Sequence, residues 1–274
     1  MRLMAAAALL LAAVSAQAAE RIVTLAPHLA ELVCAVGACD RLVGVAAYTD
    51  APPQAAARPQ VGNAYSVNLE AVLALHPDLV LSWDGGNSPE LLRRLQPLKL
   101  HVEAVTVRGL DDIADALERV GALTGDTPVA QRAAQAYRRQ LATLRAQYAG
   151  RRRLRAFYHT ETDPPFSVNR SSPIHAALDL CGADNVFAEM PAIAGAISLE
   201  AIVAANPQVV IYAQQEDPAA IARLWSRLSV MPAADPARHV IVDANTLTRQ
   251  SPRVLGGIAQ LCAGIDRVRN TLAD

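Results

Sequence analysis

The sequence predicts an α/β fold of two similar α/β lobes, each with a central sheet of parallel strands, joined by one long rigid α-helix with a cleft between the lobes. Three observations lead to this prediction. The segment LEAVLALHPDLVL, residues 69–81, recurs in register as LEAIVAANPQVVI, residues 199–211. Short apolar runs alternate with helical patterns in both halves of the chain. An uninterrupted helical pattern over residues 126–149 separates the two copies.

Each copy of the repeated segment predicts a helix, a turn and a buried strand. Asn68 and Ser198 precede the copies, and their side chains are expected to cap the helices. Pro77 and Pro207 end the helices, and the apolar runs LVLSW and VVIYA follow as strands. The side chains expected on the buried helix faces are Leu69, Val72, Leu73 and His76 in the first copy and Ile202 and Val203 in the second.

The segments around the repeats continue the same alternation of strand and helix. In the first half, IVTL, LVGV and HVEAVTV have the composition of short buried strands, and LAELVCAV and LDDIADALERVGALTG have helical spacing. In the second half, RLRAFYHT predicts a strand and IHAALDLCG a helix, whereas PAIAGAIS is expected to be a small, flexible loop. Apolar strands that alternate with helices indicate parallel sheets covered on both faces.

Residues 126–149 predict a single connecting helix. Pro128 lies in its first turn, where proline is tolerated, and no glycine or proline follows until Gly150. The positions that recur at helical spacing are Val129, Ala133, Tyr137, Leu141, Leu144 and Tyr148. About 20 residues at 1.5 Å per residue span about 30 Å, so this helix is a stiff connector. The predicted division is residues 19–125 for the first lobe, 126–149 for the helix and 150–274 for the second lobe.

The first 18 residues have the features of a secretory signal peptide. A basic Arg2 precedes an apolar run that is too short to span a bilayer comfortably, and an A-x-A site ends at Ala18. The mature protein is therefore expected to be soluble and exported, and no cysteine stands directly after the site to carry a lipid. The net charge of −1 gives no basic excess and argues against nucleic-acid binding.

The sequence contains no convincing catalytic motif. It has no G-x-S-x-G elbow, no P-loop and no dinucleotide fingerprint, and WDGGN at 83–87 lacks the lysine of a phosphate loop. None of the six histidines pairs with another at i, i+4, which disfavours a zinc protease. Export and a predicted cleft favour a binding protein, with no catalytic cofactor and no structural metal. An exported hydrolase and an adhesion module are the alternatives from other classes.

The four cysteines are expected to pair in an oxidising compartment. Four cysteines allow three connectivities, of which Cys34–Cys39 with Cys181–Cys262 is favoured. The alternative for Cys34 is a buried free thiol.

Several motifs, in order along the chain, carry a resemblance to a known family. They are VTLAPHLAEL, GVAAYTDAPPQA, VNLEAVLALHPDLVLSWDGGN, LRAQYAG, DPPFSVN, LDLCGADNVF, SLEAIVAANPQVVI and TRQSPRVLGGIAQLC. Together they resemble the periplasmic substrate-binding proteins of metal-chelate ABC importers, over nearly the whole mature chain. Four of these motifs are similar to those of the family branch that binds cobalamin, namely AYTDAPPQA, WDGGN, PPF and SPR. The resemblance implies that a monomer captures cobalamin or a related corrinoid between the two lobes. It also implies that Cys181 and Cys262 match the family's disulfide.

The resemblance also implies which residues contact the ligand. Tyr48, Trp83 and Phe166 match aromatic residues of the cleft, and Arg249 matches a polar one, whereas Arg253 is expected to support structure. Where the family has further tryptophans, this chain has Ala64 or Tyr65, and Ala194 and Gly195. Tyr65 is expected to substitute in part. These departures leave open a haem or siderophore ligand, and His28 is a candidate axial ligand to the metal of a bound chelate. A locally hydrogen-bonded His28 is the alternative.

Glu70 and Glu200 occupy the same position in the two repeats. By resemblance, they dock to arginines on the two halves of a dimeric inner-membrane permease. The alternative is that each carboxylate only complements its helix N-terminus, and both roles are compatible.

Overall fold

The computed structural model describes residues 18–272. The predicted signal peptide, residues 1–18, lies outside the described residues except for its last position. Within residues 18–272, no helix combines the length and apolarity needed to cross a membrane.

The N-terminal lobe is built on four parallel strands in the order β2-β1-β3-β4. The strands are β1 (Ile22–Thr24), β2 (Leu42–Gly44), β3 (Leu79–Trp83) and β4 (Val102–Val105). The helices are α1 (Pro27–Ala35), α2 (Pro53–Ala56), α3 (Leu69–Ala74), α4 (Pro89–Leu95) and α5 (Asp112–Thr124). Every residue of the central strand β1 is buried, as expected for a parallel strand between two layers.

The long helix α6 (Thr127–Tyr148) connects the lobes, as the sequence predicts. Its 22 residues span about 33 Å. It packs closely on α5, since a Cβ on Gly121 would lie 2.1 Å from the Cβ of Ala130. Tyr137 lies on the same buried face and donates a hydrogen bond to the carbonyl of Leu110. The helix also contacts α7 and α11 of the C-terminal lobe, so it packs against both lobes.

The C-terminal lobe repeats the parallel arrangement in the order β11-β10-β5-β8. These strands are β5 (Leu154–His159), β8 (Ala183–Asn185), β10 (Val209–Ala213) and β11 (His239–Val242). The helices are α7 (Pro173–Leu180), α8 (Leu199–Ala205), α9 (Pro218–Arg227), α10 (Ala244–Leu247) and α11 (Val254–Thr271). Two α/β lobes and a long connecting helix confirm the predicted fold class. The residue boundaries of the lobes stay predictions.

A small antiparallel sheet, which the sequence analysis did not predict, is added to the C-terminal lobe. It contains β6 (Glu161–Thr162), β7 (Pro165–Val168) and β9 (Ala194–Ala196), in the order β6-β7-β9. The segment PAIAGAIS was expected to be a flexible loop, but Ala196 pairs with Phe166 on β7. The small side chains of this segment show no strand pattern, and the strand forms because it pairs with β7, which is distant along the chain.

The repeated helices bury less than the sequence predicts. In each, one side chain is buried, that of Val72 in α3 and that of Ile202 in α8. Leu73 is 38% exposed and Val203 is 47% exposed, so the prediction that both face the core is wrong. The next helical position is rotated by about 100°, and a helix of two turns covers only a narrow stripe of the sheet. His76 lies beyond the end of α3 and is exposed.

Both favoured disulfides are present. Cys34 at the end of α1 pairs with Cys39 in the following turn. Cys181 at the end of α7 pairs with Cys262 in the middle of α11, and both are fully buried. The second bond therefore joins two helices of the C-terminal lobe.

Candidate functional site

Three predicted contact residues of the N-terminal lobe follow the ends of its parallel strands. His28 follows β1, Tyr48 follows β2, and Trp83 is the last residue of β3. In parallel α/β sheets, ligands bind outside the carboxyl ends of the strands. In the C-terminal lobe, Arg249 lies in the segment after β11, and Phe166 lies on β7 shortly after β5. Both lobes thus present candidate side chains beyond the same ends of their sheets.

The four aromatic residues predicted to contact the ligand differ in their exposure. Tyr48 is 77% exposed and Tyr65 is 81% exposed, whereas Trp83 and Phe166 are half-buried. Aromatic rings provide flat apolar surfaces that can pack against a flat ligand.

The turn after β3 fixes the position of Trp83. The ring lies against Gly86, where an added Cβ would be 1.9 Å from a ring carbon. Asn87 is buried, and its side-chain oxygen accepts a 2.7 Å hydrogen bond from the Trp83 amide. Its side-chain nitrogen donates to the carbonyl of Ala64 at 2.9 Å, next to Tyr65. Asn87 therefore links the main chain at Trp83 to the main chain beside Tyr65, which is a structural role for the last residue of the WDGGN motif.

His28 is held as a neutral imidazole. His28 lies in the first turn of α1 and is 5% exposed, and its ring lies edge-on to that of Trp83, with 5.1 Å between centroids. Burial, with a smaller contribution from the charge of Arg249, lowers the pKa of His28 to about 3. Its Nε2 atom has no hydrogen-bond partner among the described residues. A neutral, unpartnered nitrogen of this kind is a potential metal ligand.

Five residues form a charged cluster between the lobes, called here the interlobe cluster. They are Glu31 and Asp50 from the N-terminal lobe and Arg249, Ser251 and Arg253 from the C-terminal lobe. A guanidinium nitrogen of Arg253 lies 3.0 Å from the Glu31 carboxylate and 2.8 Å from that of Asp50. Two cations and two carboxylates balance, which makes their partial burial tolerable.

Burial has the largest effect on Glu31 and raises the pKa of its carboxyl group. The hydrogen bond from Ser251 and the charges of Arg253 and Arg249 oppose that rise. Glu31, Asp50 and Ser251 were not predicted from the sequence. The available signal was Glu31, the one acidic residue in the mainly apolar segment of α1.

Arg249, expected to contact a ligand, is occupied by the protein itself. Its Nη2 donates to the carbonyl of Tyr48 at 2.9 Å and lies 3.3 Å from Asp50, and its side chain is only 15% exposed. Arg253, expected to support structure, lies in the same cluster. Both arginines therefore connect the lobes.

Glu70 and Glu200 lie at equivalent places on the surface. Each is exposed in the first turn of its helix, and Asn68 and Ser198 cap these helices as predicted. A backbone hydrogen bond, followed by one from Ser198, lowers the pKa of Glu200, which keeps that carboxylate ionised. The exposed Leu73 and Val203, described above, follow the two glutamates by three positions and so lie on the same helix faces.

Two larger cavities lie away from these residues. One, of about 900 Å³, lies beside β10, β11 and α9 of the C-terminal lobe and is lined by Tyr212, Trp225 and Ile241 among others. The other, of about 540 Å³, lies near the end of α6. Neither is lined by a predicted contact residue. In the described part of the chain, no group of three histidine, cysteine, aspartate or glutamate side chains is arranged to hold a metal ion.

Comparison with known proteins agrees with this architecture. The family model described as periplasmic binding protein matches residues 22–234. The chain belongs to the periplasmic binding protein family. The vitamin B12-binding protein of Salmonella typhimurium is 34% identical over 252 residues, which cover 92% of each chain. The crystal structure of the periplasmic vitamin B12-binding protein of Vibrio cholerae superposes with a TM-score of 0.83 and 32% identity, over 91% of this chain and 98% of that one.

A structure of a haem-binding relative is also similar. The periplasmic haem-binding protein of Pseudomonas aeruginosa superposes with a TM-score of 0.78 and 26% identity, over 90% of this chain and 92% of that one. These relatives are periplasmic binding proteins, so the family places this chain among proteins that bind a solute outside the cytoplasm.

Proposed function

We propose that this protein captures cobalamin or a related corrinoid in the periplasm and delivers it to an inner-membrane ABC permease. The observation that carries this proposal is the exposure of Tyr48 and Tyr65 in the N-terminal lobe, in a chain about one-third identical to vitamin B12-binding proteins over its length. No catalytic role is proposed for any residue, and the cargo is the only ligand.

The proposed site draws on both lobes. Tyr48, Tyr65 and Trp83 contact the ligand from the N-terminal lobe, and Phe166 from the other, each supplying apolar area to the flat macrocycle. α6 and the interlobe cluster keep the lobes in a nearly constant arrangement, so the ligand enters a largely pre-formed cleft and closure is small.

Release follows docking to the permease. The two glutamates, Glu70 and Glu200, bind arginines on the two halves of a symmetric permease dimer, and the binding protein acts as a monomer. The apolar pair Leu73 and Val203 supports this proposal, because each lobe then offers a carboxylate and an adjacent apolar side chain to the same kind of surface. Separation of the lobes on docking opens the cleft.

The boundaries follow from the same proposal. Residues 1–18 are removed as a signal peptide during export. Residues 19–125 and 150–274 are the two lobes that docking separates, and residues 126–149 connect them.

Haem is the second candidate ligand, and His28 is the observation that favours it. Its neutral, unpartnered Nε2 is buried and its ring lies beside that of Trp83, so a metal reaches this nitrogen only if a covering side chain moves. Binding of haemin with a Soret band that shifts in the wild type and not in His28→Ala would support this ligand. A siderophore would give neither signal.

Calorimetric titration of the mature protein with cyanocobalamin, cobinamide and haemin tests the proposal. One-to-one binding of cyanocobalamin, lost in Trp83→Ala and unchanged in Trp225→Phe, is expected. Trp225, the other tryptophan of the chain, lies in the core of the C-terminal lobe and not among the proposed ligand contacts. Replacing it with phenylalanine therefore removes a tryptophan while keeping an aromatic ring in the core. Binding of haemin alone would exclude the corrinoid and favour the second candidate.

A further inference from the structure

Arg249 contacts the main chain of Tyr48 across the boundary between the lobes. The 2.9 Å hydrogen bond from its Nη2 ends on the Tyr48 carbonyl, and the same nitrogen approaches Asp50, two positions further on. Glu31 lies 3.8 Å from the other side of the guanidinium, at Nε. Arg249 is thus oriented by two carboxylates of the N-terminal lobe and reaches a turn whose side chain is a proposed ligand contact.

The turn that receives Arg249 has an unfavourable backbone conformation. Tyr48 has φ 65°, in the left-handed region that disfavours residues with a Cβ atom. Its ring is 77% exposed, so side-chain packing contributes little to its orientation, and the backbone conformation decides where the ring lies. The N-terminal lobe fixes the residues on either side, through bonds from Ala47 to Gly62 and from Thr49 to Ala46. The bond to the Tyr48 carbonyl itself comes from the other lobe.

We propose that Arg249 is a positioning residue which holds the Tyr48 turn, and through it the Tyr48 ring, only while the two lobes are together. When docking to the permease separates the lobes, Arg249 leaves the Tyr48 carbonyl and the turn relaxes. The N-terminal lobe then loses an aromatic contact at the same moment that the cleft opens. This inference rests on the proposed function, because it assigns Tyr48 to the ligand.

A double-mutant cycle in cyanocobalamin affinity tests the coupling. Arg249→Gln is expected to weaken binding about tenfold in the wild-type background, as for loss of one charge-assisted hydrogen bond. In a Tyr48→Ala background the same substitution is expected to change affinity less than about twofold, since the ring it positions is gone. Arg223→Gln, at an exposed arginine of α9, is the control and should leave affinity unchanged. Additive losses would overturn the proposal and indicate that Arg249 acts independently of Tyr48.

Hydrogen exchange without ligand separates this inference from the proposed function. In Arg249→Gln, amides of residues 47–50 are expected to exchange about tenfold faster than in the wild type, because the turn loses its cross-lobe hydrogen bond. Arg249→Lys should restore part of the protection, since lysine retains a charged donor. Unchanged exchange in Arg249→Gln would overturn the proposal. This comparison remains decisive even if the wild type fails to bind cyanocobalamin, a result that would reject the proposed function alone.

Discussion

The Ser251 hydroxyl donates a 2.5 Å hydrogen bond to the carboxylate of Glu31, although the two residues are 220 positions apart. Both side chains are buried, and the bond joins the segment before α11 to the N-terminal helix α1. It is a direct link between the lobes, and it opposes the rise in the pKa of Glu31 that burial causes.

Ser251→Ala is expected to lower the free energy of unfolding by about 1–3 kcal/mol, because a buried carboxylate loses a donor. The pKa of Glu31 is already raised in the folded protein. The folded protein therefore loses stability as the pH rises through the folded pKa of this carboxyl group and Glu31 ionises. Loss of the Ser251 hydroxyl raises that pKa further, so the loss of unfolding free energy caused by Ser251→Ala should be larger at pH 8 than at pH 4.5. Urea denaturation at both values measures it. Ser226→Ala, at a hydroxyl bonded within α9, should show neither effect.

Gly86→Ala is expected to weaken cyanocobalamin binding about tenfold or more, because the new methyl group occupies the space of the Trp83 ring. Tryptophan fluorescence should report the displaced ring before ligand is added. Gly109→Ala is the matched control, since an added Cβ there meets no atom within 4 Å. Equal affinity of the two variants would contradict the role given to the turn after β3.

The double substitution Leu73→Asp with Val203→Asp is expected to abolish permease-dependent uptake while leaving ligand affinity unchanged, because both side chains are exposed on α3 and α8, two helices that carry no proposed ligand contact. Charge reversal at Glu70 and Glu200 should do the same. Transport in reconstituted vesicles and calorimetry measure the two properties separately. Val230→Asp alters an apolar side chain that is 89% exposed and should support normal uptake. Full transport by both double variants would reject the docking surface.

His159→Phe is expected to make the protein less sensitive to acid. His159 is fully buried between Phe157 and Tyr212, and burial lowers its pKa to about 4 from 6.5. Between pH 6.5 and about 4, the unfolded chain binds a proton at His159 that the folded protein does not. The stability that the neutral His159 contributes is therefore complete above pH 6.5 and is lost as the pH falls toward 4. Removing the group should abolish a loss of roughly 3 kcal/mol over this interval. Thermal unfolding at several pH values tests this, and His76→Gln, at an exposed histidine, should keep the wild-type profile.

Loss of the Cys181–Cys262 disulfide is expected to destabilise the protein by about 4.5 kcal/mol in the chain-entropy model, because it closes a long loop of 81 positions. The Cys34–Cys39 bond closes only 5 positions and should be worth about 2 kcal/mol by the same model. Paired alanine substitutions, compared by urea denaturation, measure both. The reverse order of effects would contradict this explanation.

The sequence by itself determined the features that depend on neighbouring residues. The repeated segments predicted the N-caps Asn68 and Ser198 and the strands that follow, and the uninterrupted pattern around Tyr137 predicted α6. Caps, helical periodicity and buried strands arise from interactions within a few positions, so they are visible in the chain itself.

Only the tertiary structure decided which distant residues meet. The contacts of Glu31 with Ser251 and Arg253, and of Arg249 with Tyr48, join the two halves of the chain, and local patterns carry no information about such pairs. The outward direction of Leu73 and Val203 depends on how two short helices lie on their sheets. Packing between lobes and layers, rather than local propensity, determines these relationships, and with them the arrangement of the candidate site.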